Sequence, residues 1–511
     1  MHIWCKTSAE TAWKHDRIGR DDTNLMKLSA ARGGHDLGQI LLRDTVDFTL
    51  ESAEITQVTG IDPACFTLYL QEYLTYNDGL PYPDKPVPFH PCTVAASATQ
   101  SLLLVVAVPE TAPAGTAGCT VVLHTSAGDF EAAVSLKIYN AVLPAPKDGA
   151  LAHEYFLNTD LVSFMGEDYR HLSEKWWDTM GNFAQKMAEM RINVLPVSIV
   201  YLLACASKRV DELNWQFDFS VCDRWIRLFL DRGSFGKIVL SATTDSLTGA
   251  NMASFDEEGQ PIKLAVRSPE YEAFARQLFR AVYSHFEQKG WLPMLITHLE
   301  DEPHETENWL WLRGIIRECM PGVPCSEPID EYDTALGLAE DCDIFVPRLN
   351  VFEQGKDFFA RRQAAGKQVW TYTCCYPEDS WYLNRFIDQP ARYSRMLKWA
   401  CFAQGITGFL HWGFSYWFDG FYGLNADARF KGDGFVTYPD PAHDSVLLSN
   451  RGWSIVLGAE EYELLAMLGK KNPEAALGLA RKLTVSFENF TDDPTLLLTL
   501  RERLLAACEQ L

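Results

Sequence analysis

The spacing of apolar residues changes once along this chain. Up to about residue 140 they come in short alternating or continuous runs, at 40–42, 46–50, 66–69, 102–108, 119–124 and 134–139. Turn formers separate the runs, as in Asn77-Asp78-Gly79 and the stretches 109–118 and 126–129. No helical period intervenes, and short strands at this spacing predict a β-sandwich over residues 1–140. The stretch 80–91 carries prolines at 81, 83, 86, 88 and 91 and is expected to be an extended loop.

Residues 141–149 read as a linker, and beyond them strand-like runs alternate with helical ones. Strands are predicted at 154–161, 193–200, 237–242, 292–302, 323–327, 343–351, 368–374 and 407–412. Helices are predicted at 171–190, 223–231, 306–319, 356–365 and 390–404, and from Ser268-Pro269-Glu270 to about 288. In that last helix a capping serine, a proline at the first position and an acid form a strong start signal. The alternation predicts a (β/α)8 TIM barrel over residues 150–453. A doubly wound open sheet is the alternative, but no glycine fingerprint follows the first strand. Residues 454–511 form a C-terminal extension of packing helices, at 460–468, 473–483 and 493–508. The fold class is therefore α/β, with an N-terminal sandwich.

Composition narrows the partners. A formal net charge of −23 over 511 residues disfavours nucleic acid, whose phosphates need a basic surface, and an anionic membrane. No stretch has the length of a membrane span. Most of the thirteen cysteines sit in apolar patterns, which fits a reducing compartment. Together with an N-terminus unlike a signal peptide, this gives a cytoplasmic expectation. The adjacent Cys374-Cys375 pair lacks zinc or redox spacing, and no metal or other cofactor is expected.

The chemistry concentrates after the fourth predicted strand, in His298-Leu299-Glu300-Asp301-Glu302-Pro303-His304. Such a cluster can be a helix cap on a solvated turn. Where a buried strand meets a loop, however, bunched carboxylates cost folding energy and mark sites of chemistry. In a barrel the C-terminal strand ends line the active face. There the later strands contribute Arg348 and Asn350, Trp370 and Tyr372, then His411, Trp412, Tyr416 and Trp417, with Tyr376, Trp381 and Asp419 in loops. Carboxylates ringed by aromatics suit a glycan, since sugars offer C–H faces for stacking and hydroxyls for hydrogen bonds. A tryptophan on a barrel strand can equally be core, and only one of His411 and Trp412 should face the site. Arg395, on a helix, is expected in a structural ion pair. A metal-dependent hydrolase built on His298, Glu300, Glu302 and His304 is a weaker reading, because Pro303 breaks the strand before His304.

The order of these motifs resembles glycoside hydrolase family 123, also seen as the DUF4091 domain. The resemblance is carried by Tyr82-Pro83-Asp84 and the Ala112–Thr116 run, then by Asp301-Glu302-Pro303, Trp370-x-Tyr372 and Arg395-x-x-x-Trp399. Gly405-x-x-Gly408-Phe409-Leu410-x-Trp412, Gly432-Asp433-Gly434-Phe435 and Tyr438-Pro439 continue it. It implies a retaining β-N-acetylgalactosaminidase, or a related β-N-acetylhexosaminidase, in which the 2-acetamido oxygen of the sugar is the nucleophile. Asp301 would orient the acetamide and stay ionised. Glu302 would be the acid, then the base, its proton affinity raised by Asp301 and by nearby Glu300. His298, Glu300, Asn350, Trp370, Tyr372, Trp412, Tyr416 and Trp417 would contact the substrate, a glycan carrying an N-acetylhexosamine. A catalytically inactive, carbohydrate-binding relative is the alternative.

Overall fold

The structure is a computed structural model that describes residues 1–241, 251–378, 381–417, 424 and 428–511. Asp419 and the last residue of the third predicted strand lie outside these.

Two five-stranded sheets form the N-terminal sandwich. One runs His2–Thr7, His35–Arg43, Thr99–Ala107, Phe66–Thr75, Pro81–Pro88; the other Leu25–Arg32, Gly128–Val142, Gly115–Thr125, Phe48–Thr59, Cys92–Val94. In Gly128–Val142 the buried residues Ala132, Val134, Leu136 and Ile138 alternate with exposed Glu131, Ala133, Ser135 and Lys137. That period of two turns one face to the core and the other to solvent. The proline-rich stretch is a correction: Pro81–Pro88 is a strand, paired from Tyr69↔Pro88 to Thr75↔Pro81. It lies at the sheet edge, where a missing N–H donor is tolerated.

Eight parallel strands then close a barrel: β1 Ala152–Tyr155, β2 Val194–Val197, β3 Lys237–Leu240, β4 Leu295–His298, β5 Cys325–Ile329, β6 Ile344–Pro347, β7 Gln368–Tyr372 and β8 Gly408–His411. Closure is the pairing of β8 with β1, Ala152↔Gly408 to Tyr155↔His411. Val194, Val239, Ile296, Val346, Trp370 and Leu410 fill the interior. Gly408 makes room for the Trp370 ring, which a Cβ there would meet at 2.3 Å. Most strands are shorter than their apolar windows. β4 ends at His298, so Glu300, Asp301 and Glu302 belong to the loop after it and Pro303 is not its terminator. Arg348 and Asn350 likewise follow β6. The helix start at Ser268 is as predicted: its side chain accepts from Tyr271 N–H, and the helix runs Pro269–Lys289 to a left-handed Gly290.

Four helices matter for the junction with the sandwich: α1 Arg392–Ala403, α2 Asn450–Lys471, α3 Pro473–Leu483 and α4 Pro494–Cys508. α2 is longer than the predicted 460–468 because almost every residue from Arg451 to Leu465 is buried. A helix covered on all sides has no amphipathic stripe to read. Its Glu461 accepts from Arg395 Nε at 2.9 Å, Trp399 Nε1 at 2.6 Å and Arg501 Nη1 at 3.0 Å. Arg501 goes on to the carbonyls of Ser29 and His35 in the sandwich. Burial pushes the Glu461 carboxyl up, and the two guanidiniums more than reverse it. Arg395 is thus structural, as expected. Among the described residues no helix is long and apolar enough to cross a membrane.

Candidate active site

The loop after β4 is pinned from below. His298, buried and beside Phe156, lies 2.8 Å through Nε2 from the Glu300 carbonyl. Burial lowers its imidazole to about 4, so it is neutral and Nε2–H donates. Glu327 on β5 accepts from the N–H groups of Leu299 and Glu300, at 3.4 and 3.3 Å, and from Trp309 Nε1 at 2.6 Å. Glu300 is buried at this base, 2% exposed. Above it, Asp301 and Glu302 point to the barrel rim.

Glu302 has φ of 55°, just before Pro303. A non-glycine residue in this left-handed region is strained by on the order of 1 kcal/mol, and such strain gathers at functional sites. The turn carries its carboxyl to β7, where Tyr372 donates a short hydrogen bond to Glu302 Oε1. Arg348 stands beside this pair, with Nε on Asn350 Oδ1 at 2.9 Å, Nη2 on the Asp330 carbonyl at 3.1 Å and its guanidinium over the Tyr376 ring.

Asp301 is pushed up to about 7, first by burial, then by the charges of Glu302 and Asp330. Glu302 is also raised, chiefly by burial; the Tyr372 hydrogen bond and the Arg348 and His304 charges oppose this, and Asp330 adds to it. Asp301 too is drawn toward the proton, and Asp330 is the acid whose charge acts on both. Asp330 follows the end of β5 and leaves Oδ1 buried without a hydrogen-bond partner.

At the ends of β1–β3 is a cavity of about 490 Å³ lined by Phe156, Asn158, Asp160, His171, Tyr201 and Tyr416 among others, but by neither Asp301 nor Glu302. Tyr416 connects it to the carboxylates: burial and the Asp301 charge raise its phenol to about 12. Its ring lies 5.3 Å from that of Trp412, and both are half-buried.

Not every expected residue is there. Trp370 is fully buried in the barrel interior, one layer below Tyr372. Trp417 is 2% exposed, packed on Phe164 and Phe183, and donates to the Thr437 carbonyl. Both are core: Trp370 shares the interior face of β7 with Tyr372 but lies a layer deeper, and the Trp417 ring fills space between its aromatic neighbours. His411 is fully buried, whereas Trp412 is half-buried and donates through Nε1 to Asp433 Oδ2. Among the described residues no group of three or more His, Cys, Asp or Glu side chains is arranged to hold a metal. His304 instead lies 3.9 Å from both Asp330 and Glu331.

Residues 167–468 match the model of the glycoside hydrolase 123 catalytic domain, more than half of the chain. The chain belongs to glycoside hydrolase family 123. It is a glycosidase. No curated protein matches it. Among solved structures, a family 123 glycoside hydrolase from Clostridium perfringens matches with a TM-score of 0.79 at 16% identity, over 100% of this chain and 98% of that chain. At that identity it shows the shared fold, sandwich and barrel together. Two others are distant: a GH39 enzyme from Xanthomonas axonopodis pv. citri, with TM-score 0.41, 11% identity and coverage of 64% and 68%, and a β-glucuronidase from Parabacteroides merdae, with 0.33, 9%, 84% and 50%.

For this family 123 chain, sequence reasoning missed Asp330 and Glu327 and left Arg348 without a role. The signal for Asp330 was its place immediately after a strand, the same relation that Glu300 and Asp301 bear to β4. Several family motifs are scaffold: Arg395 and Trp399 hold Glu461, and Asp84 of the sandwich accepts from Tyr438 Oη at 2.6 Å.

Proposed function

We propose that this glycosidase is a retaining β-N-acetylgalactosaminidase, or a close β-N-acetylhexosaminidase, working by substrate assistance. The observation that carries the reading is the pair itself. Asp301 and Glu302 are consecutive on one loop, with Glu302 held by Tyr372 and Asp301 acting on Tyr416. The resemblance to family 123 implies that the nucleophile comes from the substrate, and two consecutive acids, one to hold the acetamide and one to protonate the leaving oxygen, fit that role.

In the first step the acetamido oxygen bonds to the anomeric carbon as the glycosidic bond breaks. Glu302 gives its proton to the leaving oxygen, and the ionised Asp301 accepts from the acetamide N–H and faces the positive charge of the oxazolinium ring. In the second, water attacks the anomeric carbon as its bond to the acetamido oxygen breaks and the neutral acetamide is restored, Glu302 takes the proton of the water, and the configuration is retained. A proton held high by burial suits the acid. The pair's high proton affinity also means that the developing cation is what makes the ionised form of Asp301 favourable.

Trp412, Tyr416, Tyr372 and Asn350 shape the mouth in this reading, while His298 and Glu300, expected to contact substrate, are buried and hold the loop from below. The catalytic unit is residues 150–453, with 1–140 and 454–511 as its support. The Clostridium perfringens relative is described for glycolipid glycan hydrolysis; a terminal N-acetylgalactosamine on such a glycan is the substrate class proposed here. All thirteen cysteines are free thiols, which supports a reducing, cytoplasmic setting.

The test is turnover of an aryl β-N-acetylgalactosaminide. Glu302→Gln and Asp301→Asn are each expected to lower kcat by roughly 100-fold or more. A thiazoline mimic of the cyclised intermediate should inhibit in competition with substrate. Full activity in both variants, or indifference to the thiazoline, sinks the proposal.

A further inference from the structure

Beneath the rim runs a chain of buried charged groups that the chemistry above does not use. Asp433 is fully buried. Its Oδ2 accepts from Trp412 Nε1 at 3.1 Å and its Oδ1 from Arg385 Nη2 at 2.5 Å. Its carbonyl accepts from Arg385 Nη1 at 3.1 Å and lies 2.9 Å from His411 Nε2. Arg385, itself buried, gives its own carbonyl to Arg451 Nη1 at 2.9 Å. Arg451 holds the Gly432 carbonyl at 2.7 Å and reaches Asp84 of the sandwich through Nε at 3.0 Å and Nη2 at 2.9 Å.

The backbone of the same segment straps the loop that carries the aromatics. Tyr416 N–H donates to the Gly434 carbonyl at 2.9 Å and Val436 N–H to that of Phe414 at 3.2 Å. The approach is close enough that a Cβ on Gly413 would meet the Asp433 carbonyl at 2.5 Å.

We propose that Asp433 is a positioning residue for the aromatic wall of the mouth: clamped by Arg385, it fixes the indole of Trp412 through its single N–H, and Arg451 anchors the clamp to Asp84 in the sandwich. An indole has one donor and no acceptor. With that donor committed, ring rotation is restrained and the ring stays against Tyr416, 5.3 Å away, which itself lines the cavity. The Asp433 carboxylate can be buried there only because a guanidinium is buried with it. The sandwich then serves the site by holding the far end of the clamp. This inference rests on the reading of the mouth as a glycan site.

The test compares Asp433→Ala, Asp433→Asn and Trp412→Phe on an aryl β-N-acetylhexosaminide, with thermal melts to establish folding. Asp433→Ala is expected to raise KM and the thiazoline inhibition constant about tenfold with kcat changed less than about threefold, the scale of one lost hydrogen bond to a charged group. Asp433→Asn keeps an acceptor for the indole and should restore most of that loss. Should burying Arg385 alone prevent folding, Trp412→Phe keeps the ring, removes only the N–H, and should reproduce the rise in KM. A folded Asp433→Ala or Trp412→Phe protein with the KM and inhibitor affinity of the parent overturns the proposal. A crystal structure of Asp433→Ala reads ring placement without turnover: a rotated Trp412 supports the clamp, and an unmoved one refutes it. Wild-type protein inert toward every aryl hexosaminide would count against the substrate reading, and ring placement would still judge the clamp.

Discussion

Replacing Asp330 by asparagine removes one charge from the catalytic cluster and nearly preserves its shape. Asp301 rises from 3.8 to about 7, with burial the first cause, Glu302 the second and Asp330 the third. The smallest of three causes accounts for at most a third of that rise, so Asp330→Asn should lower Asp301 by up to about one pH unit. The mechanism needs Asp301 ionised, so kcat/KM falls as pH drops through its pKa, and a lower pKa moves this acid limb to lower pH. At pH 6 the ionised fraction would rise from about a tenth to at most about a half, a gain in kcat/KM of up to roughly fivefold. Asp330 also raises Glu302, so the alkaline limb should move the same way and the whole bell shift toward acid. The two carboxyls titrate as a pair, and the apparent values belong to the pair. The assay is kcat/KM for an aryl β-N-acetylgalactosaminide from about pH 4.5 to about 8.5 at constant ionic strength. An acid limb that stays in place or moves upward in a folded variant refutes the electrostatic account of this site.

Tyr372→Phe removes a donor that stabilises the ionised form of Glu302. Its carboxyl should hold the proton to higher pH, and the alkaline limb should move up; a downward move would contradict the hydrogen bond's role. Glu154, on β1, is 1% exposed with neither oxygen hydrogen-bonded, and burial raises it to about 8. Its folded pKa lies above the unfolded one, so the stability from keeping it neutral is complete below about 4.5 and is lost as pH rises to about 8. That loss is on the order of 3 kcal/mol at pH 7. Glu154→Gln should flatten stability against pH over this window in urea titrations, and an unchanged slope would disprove the assignment.

Features that depend on local spacing were legible in the order of residues alone. The period of two marks the sandwich strands, the alternation of apolar runs with helical ones marks the barrel, and Ser268 marks a helix start where the structure has one. Asp301 and Glu302 were legible because charged residues clustered after an apolar run conflict with burial, and that conflict is visible in one stretch of chain. Features that depend on which distant residues meet emerged only with the folded chain. Tyr372 and Glu302 are 70 positions apart and touch only because the closed barrel brings the ends of β4 and β7 to one rim. Closure also sets the charge of Asp330 on both carboxylates, assigns Trp370 and Trp417 to the core, and leaves Trp412 and Tyr416 half-buried against each other. α2 and the Pro81–Pro88 strand were misread for the same reason: whether a face is covered, or an edge unpaired, depends on neighbours that lie far away in the chain.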